Sequence, residues 1–151
     1  MARHWKLASS IAVAGLAGLL AVGPMASVAF GDVISDRKDN RKQTGDQMKA
    51  LKAVVDANGP AAAVVDPAKK IVALEDTFIK EFPAGSDKGD TKALPVVWSD
   101  WKGFEAASHN LTAQATKMAE LGSAGNMDAV KAQFAEMGKA CGGCHNTYRA
   151  K

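Results

Sequence analysis

Apolar residues recur along this chain at helical rather than strand spacing. Met48, Leu51 and Val55 share one helix face, in a stretch expected from about Val33 to Asp56. The first half of that stretch, Asp36 to Gln47, holds no large apolar residue, and Asn58-Gly59-Pro60 ends it. A second helix is expected from Asp66-Pro67, with Asp66 as its N-cap and Pro67 at its first helical position. Ile71, Leu74, Phe78 and Phe82 form its stripe, Pro83 marks its end, and Ala84 to Leu94 has the composition of a loop. A third helix follows Pro95 and runs to about Leu121, with Phe104, Leu111 and Met118 seven residues apart, before Gly122 to Gly125 breaks it. A fourth starts at Asn126, an N-cap residue, and carries Val130, Phe134, Met137, Cys141, Cys144 and Tyr148 on one face. No strand-like alternation or internal repeat accompanies them. The pattern predicts an all-α, antiparallel four-helix bundle. Many seam positions are Ala, which leaves interior room for a ligand and equally allows close helix contact.

The segment before these helices has a different character. Arg3, His4 and Lys6 precede Leu7 to Gly23, a run of 17 apolar or small residues, and Ser27 and Ala29 offer small side chains at cleavage spacing. This predicts a secretory signal peptide over 1–29, cut at Ala29/Phe30 or at Gly31/Asp32, with a functional domain over 30–151 in the periplasm. An uncleaved anchor is the alternative, but the run falls just short of the ~18–20 residues of a spanning helix, so no stable membrane insertion is expected after cleavage. No twin arginine is present, which favours the general secretory route.

Charge then changes meaning. Two of the 19 basic residues and none of the 16 acidic ones lie before residue 30, leaving 17 against 16, a net charge of +1. Nucleic acid is excluded as a partner, and the balance implies no steering towards a strongly acidic protein. The two cysteines exclude a disulfide-dense scaffold.

Those cysteines carry the chemistry. Cys141-Gly142-Gly143-Cys144-His145 is C-x-x-C-H, the attachment pattern of c-type haem. Two thiols add to the haem vinyl groups as thioethers, and the adjacent imidazole supplies an axial nitrogen to the iron. On a helix, positions i, i+3 and i+4 share a face, so all three side chains point the same way. A thioredoxin-type pair needs a preceding strand, which the pattern lacks. A zinc site needs about four ligands, and beyond residue 30 only Cys141, Cys144, His109 and His145 offer themselves as strong candidates. A structural disulfide in a helical interaction module leaves the adjacent His unexplained. One covalent haem c is the favoured reading, with the disulfide and zinc readings kept as its rivals.

At this point the chain resembles the cytochrome c′ family, the class II c-type cytochromes. The resemblance rests on four helices, the C-terminal stretch from Cys141 to Tyr148-Arg149, and Trp98-Ser-Asp-Trp101-Lys-Gly-Phe104 at the start of the third helix. Class I cytochromes place the motif near the N-terminus, and only six residues follow His145 here. The resemblance implies that Cys141 and Cys144 anchor the haem and that His145 is its proximal ligand. Arg149 would lie near the proximal face and pair a propionate, or stand as a solvated charge at the helix end. Tyr148, Trp98, Trp101 and Phe104 would edge the haem or simply close the core.

The distal side departs from the family pattern. Members place an apolar residue or a ligating Met over the iron from the first helix, with an Arg one turn earlier. If Arg37 is that Arg, the distal position is Arg41; if Arg41 is, it is Gly45. Neither is a conventional ligand, and Met48 ligates only with a shifted register, its other role being core. His109, in the third helix, is the weakest distal candidate. The resemblance implies a haem protein whose open distal face admits NO or CO while the bundle core excludes water and anions. The alternative is a six-coordinate electron carrier with Met48 as sixth ligand, serving redox partner proteins. An enzyme is not expected, because peroxidase or NO-reducing chemistry needs a distal acid/base, for which Arg41 is a poor substitute. Homodimers through the first two helices are also implied, although the polar first half of the first helix argues against a buried face there.

Overall fold

The computed structural model describes residues 30–151; the segment assigned to a signal peptide lies outside them. Among the described residues, α1 spans Phe30–Asp56, α2 Val65–Phe78, α3 Val96–Ser99, α4 Trp101–Ser123 and α5 Met127–Tyr148. The four long helices close a ring in which α1 packs against α2 and α5, and α4 packs against the same two. The fold is a four-helix bundle.

Local chemistry accounts for most boundaries. Asn58 adopts a positive φ of 49° and, with Gly59 and Pro60, ends α1 where the breakers predict. Asn126 caps α5, its side chain accepting from Ala129 N–H at 3.0 Å. Two expectations are corrected. Asp66 is not the N-cap of the second helix. A 3-10 turn over Ala61–Val64 winds directly into α2, which starts at Val65, so Asp66 and Pro67 both sit inside the first turn. There Asp66 complements the helix dipole and Pro67 lacks a donor that would go unused. The third helix is not continuous from Pro95 either. Asp100 leaves helical geometry (φ −120°, ψ 55°) and splits α3 from α4, its carboxylate accepting from Gly103 N–H at 3.3 Å.

Two apolar clusters fill the interior. The larger contains Leu51, Val64, Ala68, Ile71, Leu111, Ala115, Met118, Val130 and Met137. The smaller is mainly aromatic: Phe78, Phe82, Val97, Phe104 and Tyr148. Each fully buried large side chain contributes about 1.5–3 kcal/mol. Close approach of α4 to the 3-10 turn depends on Gly122, where an added Cβ would meet the Ala61 carbonyl oxygen at 2.9 Å and a Val64 methyl. Gly122→Ala is therefore expected to destabilise the fold by about 1–3 kcal/mol, despite its higher helix propensity. A urea midpoint equal to or above that of the parent would contradict this packing.

Candidate functional site

A cavity of about 880 Å³ opens where the two clusters meet, within the range that ligand sites occupy. Phe78, Phe82, Val97, Phe104 and Tyr148 wall one part, while Leu111, Ala140 and Met48 belong to another. Cys141, Cys144 and His145 all line it, brought to one side by their spacing along α5. Both cysteines are free and half-buried. Burial raises both thiol pKa values, with Glu75 adding to the rise and Arg41 opposing it. Burial lowers the His145 pKa, and the Arg149 and Arg41 charges lower it further. These effects favour a neutral imidazole, the form that ligates metals.

The last turn of α5 is held from several directions. Tyr148 is buried, donates its hydroxyl to Asp100 Oδ2 at 2.7 Å and packs edge-on against Phe104 at 5.3 Å. The Tyr148 carbonyl accepts from Leu94 N–H at 3.0 Å, and Ala150 N–H donates to the Lys92 carbonyl at 2.8 Å. Arg149 forms an antiparallel bridge with Ala93 and also lines the cavity. The loop from 84 to 94 thereby becomes part of the cavity wall.

The candidates on α1 converge as well: Arg37, Arg41, Gly45 and Met48 all line the cavity. Met48 is half-buried and packs against the larger cluster. A Cβ added at Gly45 would meet nothing within 4 Å. Arg41 is clamped. Its guanidinium carbon lies 3.5 Å from the Phe78 ring centre, its Nη2 is 2.6 Å from Asn40 Oδ1, and Nη2 is 2.7 Å from Glu75 Oε1. Arg37 is buried, donates to the Ser86 carbonyl at 2.7 Å and stacks on Phe82 and Trp98. Its pKa is lowered by burial, which the charge of Glu81 partly offsets.

The remaining candidates lie apart. Trp98 and Trp101 do not line the cavity. Trp98 donates from its indole to the Pro83 carbonyl at 3.2 Å, and Trp101 packs behind Phe104, ring centres 5.7 Å apart. His109 is exposed on the outside of α4. Sequence reasoning missed Glu75 and Ser108, which also line the cavity. Glu75 is only 3% exposed, and Ser108 donates to its Oε2 at 2.7 Å. A signal existed, since Ile71, Glu75 and Phe78 share one face of α2, placing a carboxylate within an apolar stripe.

These residues suit haem. The walls are largely apolar, two thiols and an imidazole stand together, and Arg37 presents Nε and Nη1 buried without partners. Buried guanidinium donors call for an acceptor, and haem carries carboxylate arms. Among the described residues no group of three or more His, Cys, Asp and Glu converges as a metal site.

Comparison with known proteins agrees. The family profile described as Cytochrome C′ matches residues 32–149. Cytochrome c′ of Rhodopseudomonas palustris is 34% identical over 149 residues, covering 92% of this chain and 96% of that protein. Cytochrome c-556 of Agrobacterium fabrum is 35% identical over 145 residues, covering 94% and 95%. The crystal structure of cytochrome c′ from Rubrivivax gelatinosus superposes with a TM-score of 0.72 at 30% identity, covering 80% of this chain and 97% of that one. With its bundle and its cysteine-lined cavity, the chain belongs to the cytochrome c′ family, whose cofactor is covalently attached haem c.

Proposed function

We propose that this protein is an exported, periplasmic haem protein whose distal face is open to small diatomic gases. Cys141 and Cys144 form the thioethers and His145 is the axial ligand, a reading supported by their common position on the cavity wall. The haem supplies an iron centre with one-electron chemistry and a further coordination position. The chain does the rest. Apolar walls exclude bulk water, Arg149 lies close enough to His145 to disfavour its protonation, and Arg37 offers buried donors to a carboxylate. The cavity binds rather than turns over in this reading, since Glu75, the one buried carboxylate on its wall, is already engaged by Ser108 and Arg41 and leaves no free distal base. Residues 1–29 are read as the signal that carries the chain to its compartment.

The observation that carries the gas-binding reading is Gly45. It lines the cavity from α1, and a Cβ added there would touch nothing within 4 Å. An α-helical Gly costs roughly 1 kcal/mol relative to Ala, so its presence there favours the space over helix stability. A second reading, a six-coordinate electron carrier with Met48 as sixth ligand, draws support from the position of Met48 on the cavity wall. The packing of Met48 against the larger core cluster favours the first.

Absorption spectra of the purified protein, oxidised and dithionite-reduced, with and without CO, separate them. The expected result is a broad high-spin reduced spectrum that CO shifts readily, with Gly45→Leu slowing CO binding at least tenfold (about 1.4 kcal/mol of barrier). A sharp low-spin spectrum indifferent to CO, relieved by Met48→Ala, would establish the electron carrier instead.

A further inference from the structure

The apolar lining described above is interrupted on one face of α1. Arg41, Thr44 and Gly45 stand at i, i+3 and i+4, so they share that face, and all three line the cavity. Thr44 is 6% exposed and its hydroxyl has no hydrogen-bond partner. Arg41 Nε is likewise buried and unpartnered, although Nη2 of the same guanidinium is engaged. A buried donor without an acceptor is costly, and such groups in a folded protein ordinarily have a partner. Here two of them flank the open space at Gly45.

Chemistry narrows what that partner can be. A guanidinium N–H can only donate, and the Thr hydroxyl is free to donate alongside it. Neutral diatomics accept hydrogen bonds poorly, whereas a small anion accepts from both groups at once, and charge-assisted hydrogen bonds are the stronger kind. The charges nearby allow it. Glu75 is the one buried carboxylate on the wall, and it is engaged by Ser108 and by Arg41 Nη2. Arg37, 5% exposed, supplies a second guanidinium, whose Nε and Nη1 are already given to a haem carboxylate in the proposed function. Glu81 also acts on both guanidinium groups, so the case for an anion rests on the unpartnered donors of Arg41 and Thr44 rather than on net charge.

We propose that this face of α1 makes the cavity a binding site for small anions as well as for neutral gases, with Arg41 and Thr44 as donors and Gly45 as the space they serve. The proposal rests on the reading that the cavity holds haem beside this face. It departs from the expectation that a bundle core shuts anions out, because that expectation assumes an apolar distal wall.

The test is titration of the ferric holoprotein with sodium azide at neutral pH, followed by absorption, with CO added to the ferrous protein in parallel. Azide is expected to shift the ferric spectrum saturably. Thr44→Val, which keeps shape and removes the hydroxyl, should weaken azide about tenfold, and Gly45→Leu should abolish the shift. Arg41→Leu should weaken it at least as much, and Thr44→Val provides an independent reading should Arg41→Leu fail to fold beside an unpaired Glu75. A ferric spectrum unmoved by azide, or an azide affinity indifferent to Thr44→Val, overturns the proposal. That includes the case in which the haem carboxylates themselves occupy the guanidinium groups. If CO binds and azide does not, the anion site falls while the gas-binding reading stands. If neither binds, both fall.

Discussion

A Cys141→Ala, Cys144→Ala double variant is expected to emerge from the cell with no haem covalently attached. Each thioether requires one of these sulfurs, and both cysteines sit on the same cavity wall as His145. The double change leaves the chain without any thiol, since the sequence holds two cysteines in all. Mass spectrometry under denaturing conditions reads the outcome directly. The parent chain should carry the added mass of haem, and the double variant should show the polypeptide alone. Each single variant should retain one possible bond and a lower yield of attached haem. A parent mass reduced by two hydrogens, with no haem, would instead establish a Cys141–Cys144 disulfide. Loss of the cofactor should also lower the thermal midpoint, because a group bound only by the folded chain stabilises it, and this cavity of about 880 Å³ would have to fill with water or collapse.

Removing the carboxylate from the cavity wall is expected to have a large effect on stability. Glu75→Ala should cost about 3 kcal/mol, because it removes one member of a buried ion pair and leaves the other without its counter-charge. Glu75 is 3% exposed, accepts from Ser108 at 2.7 Å and lies 2.7 Å from Arg41 Nη2. Arg41 remains partly exposed, which limits its own penalty and places the expectation at the low end for buried pairs. Glu75→Gln keeps an acceptor for Ser108 and should cost about half as much. Urea unfolding of the haem-loaded protein measures both. A Glu75→Ala cost below about 0.5 kcal/mol, the size typical of exposed pairs, would show that the pair is solvated in practice.

The helices were legible because their chemistry is local. Apolar spacing, the breakers at Asn58-Gly59-Pro60 and the cap at Asn126 act within a few residues of where they stand. What escaped depended on distant partners or on competing local geometry. Asp66 is a good cap by type, but the preceding 3-10 turn removes the need for one. Asp100 reads as an ordinary residue inside a helix until Tyr148, 48 positions later, donates to its carboxylate. The haem motif was legible because three residue types at fixed spacing demand the same chemistry. The distal side was not, because two arginines one turn apart, Arg37 and Arg41, offer two registers for α1. The structure brings both to the cavity with Gly45 and Met48. Trp98 and Trp101 illustrate the reverse. Their type and spacing suit a haem edge, yet Phe82 and Phe104 stand between them and the cavity.

The fastening of the last turn of α5 has a kinetic consequence. Helices α4 and α5 are joined by a short turn, so their mutual packing is local and forms early. The contacts that fix Tyr148 close much longer loops, to Asp100 and to Leu94. Loop-closure entropy delays such contacts until the surrounding bundle is in place. The turn carrying Cys144 and His145 is thus among the last parts of the molecule to be immobilised.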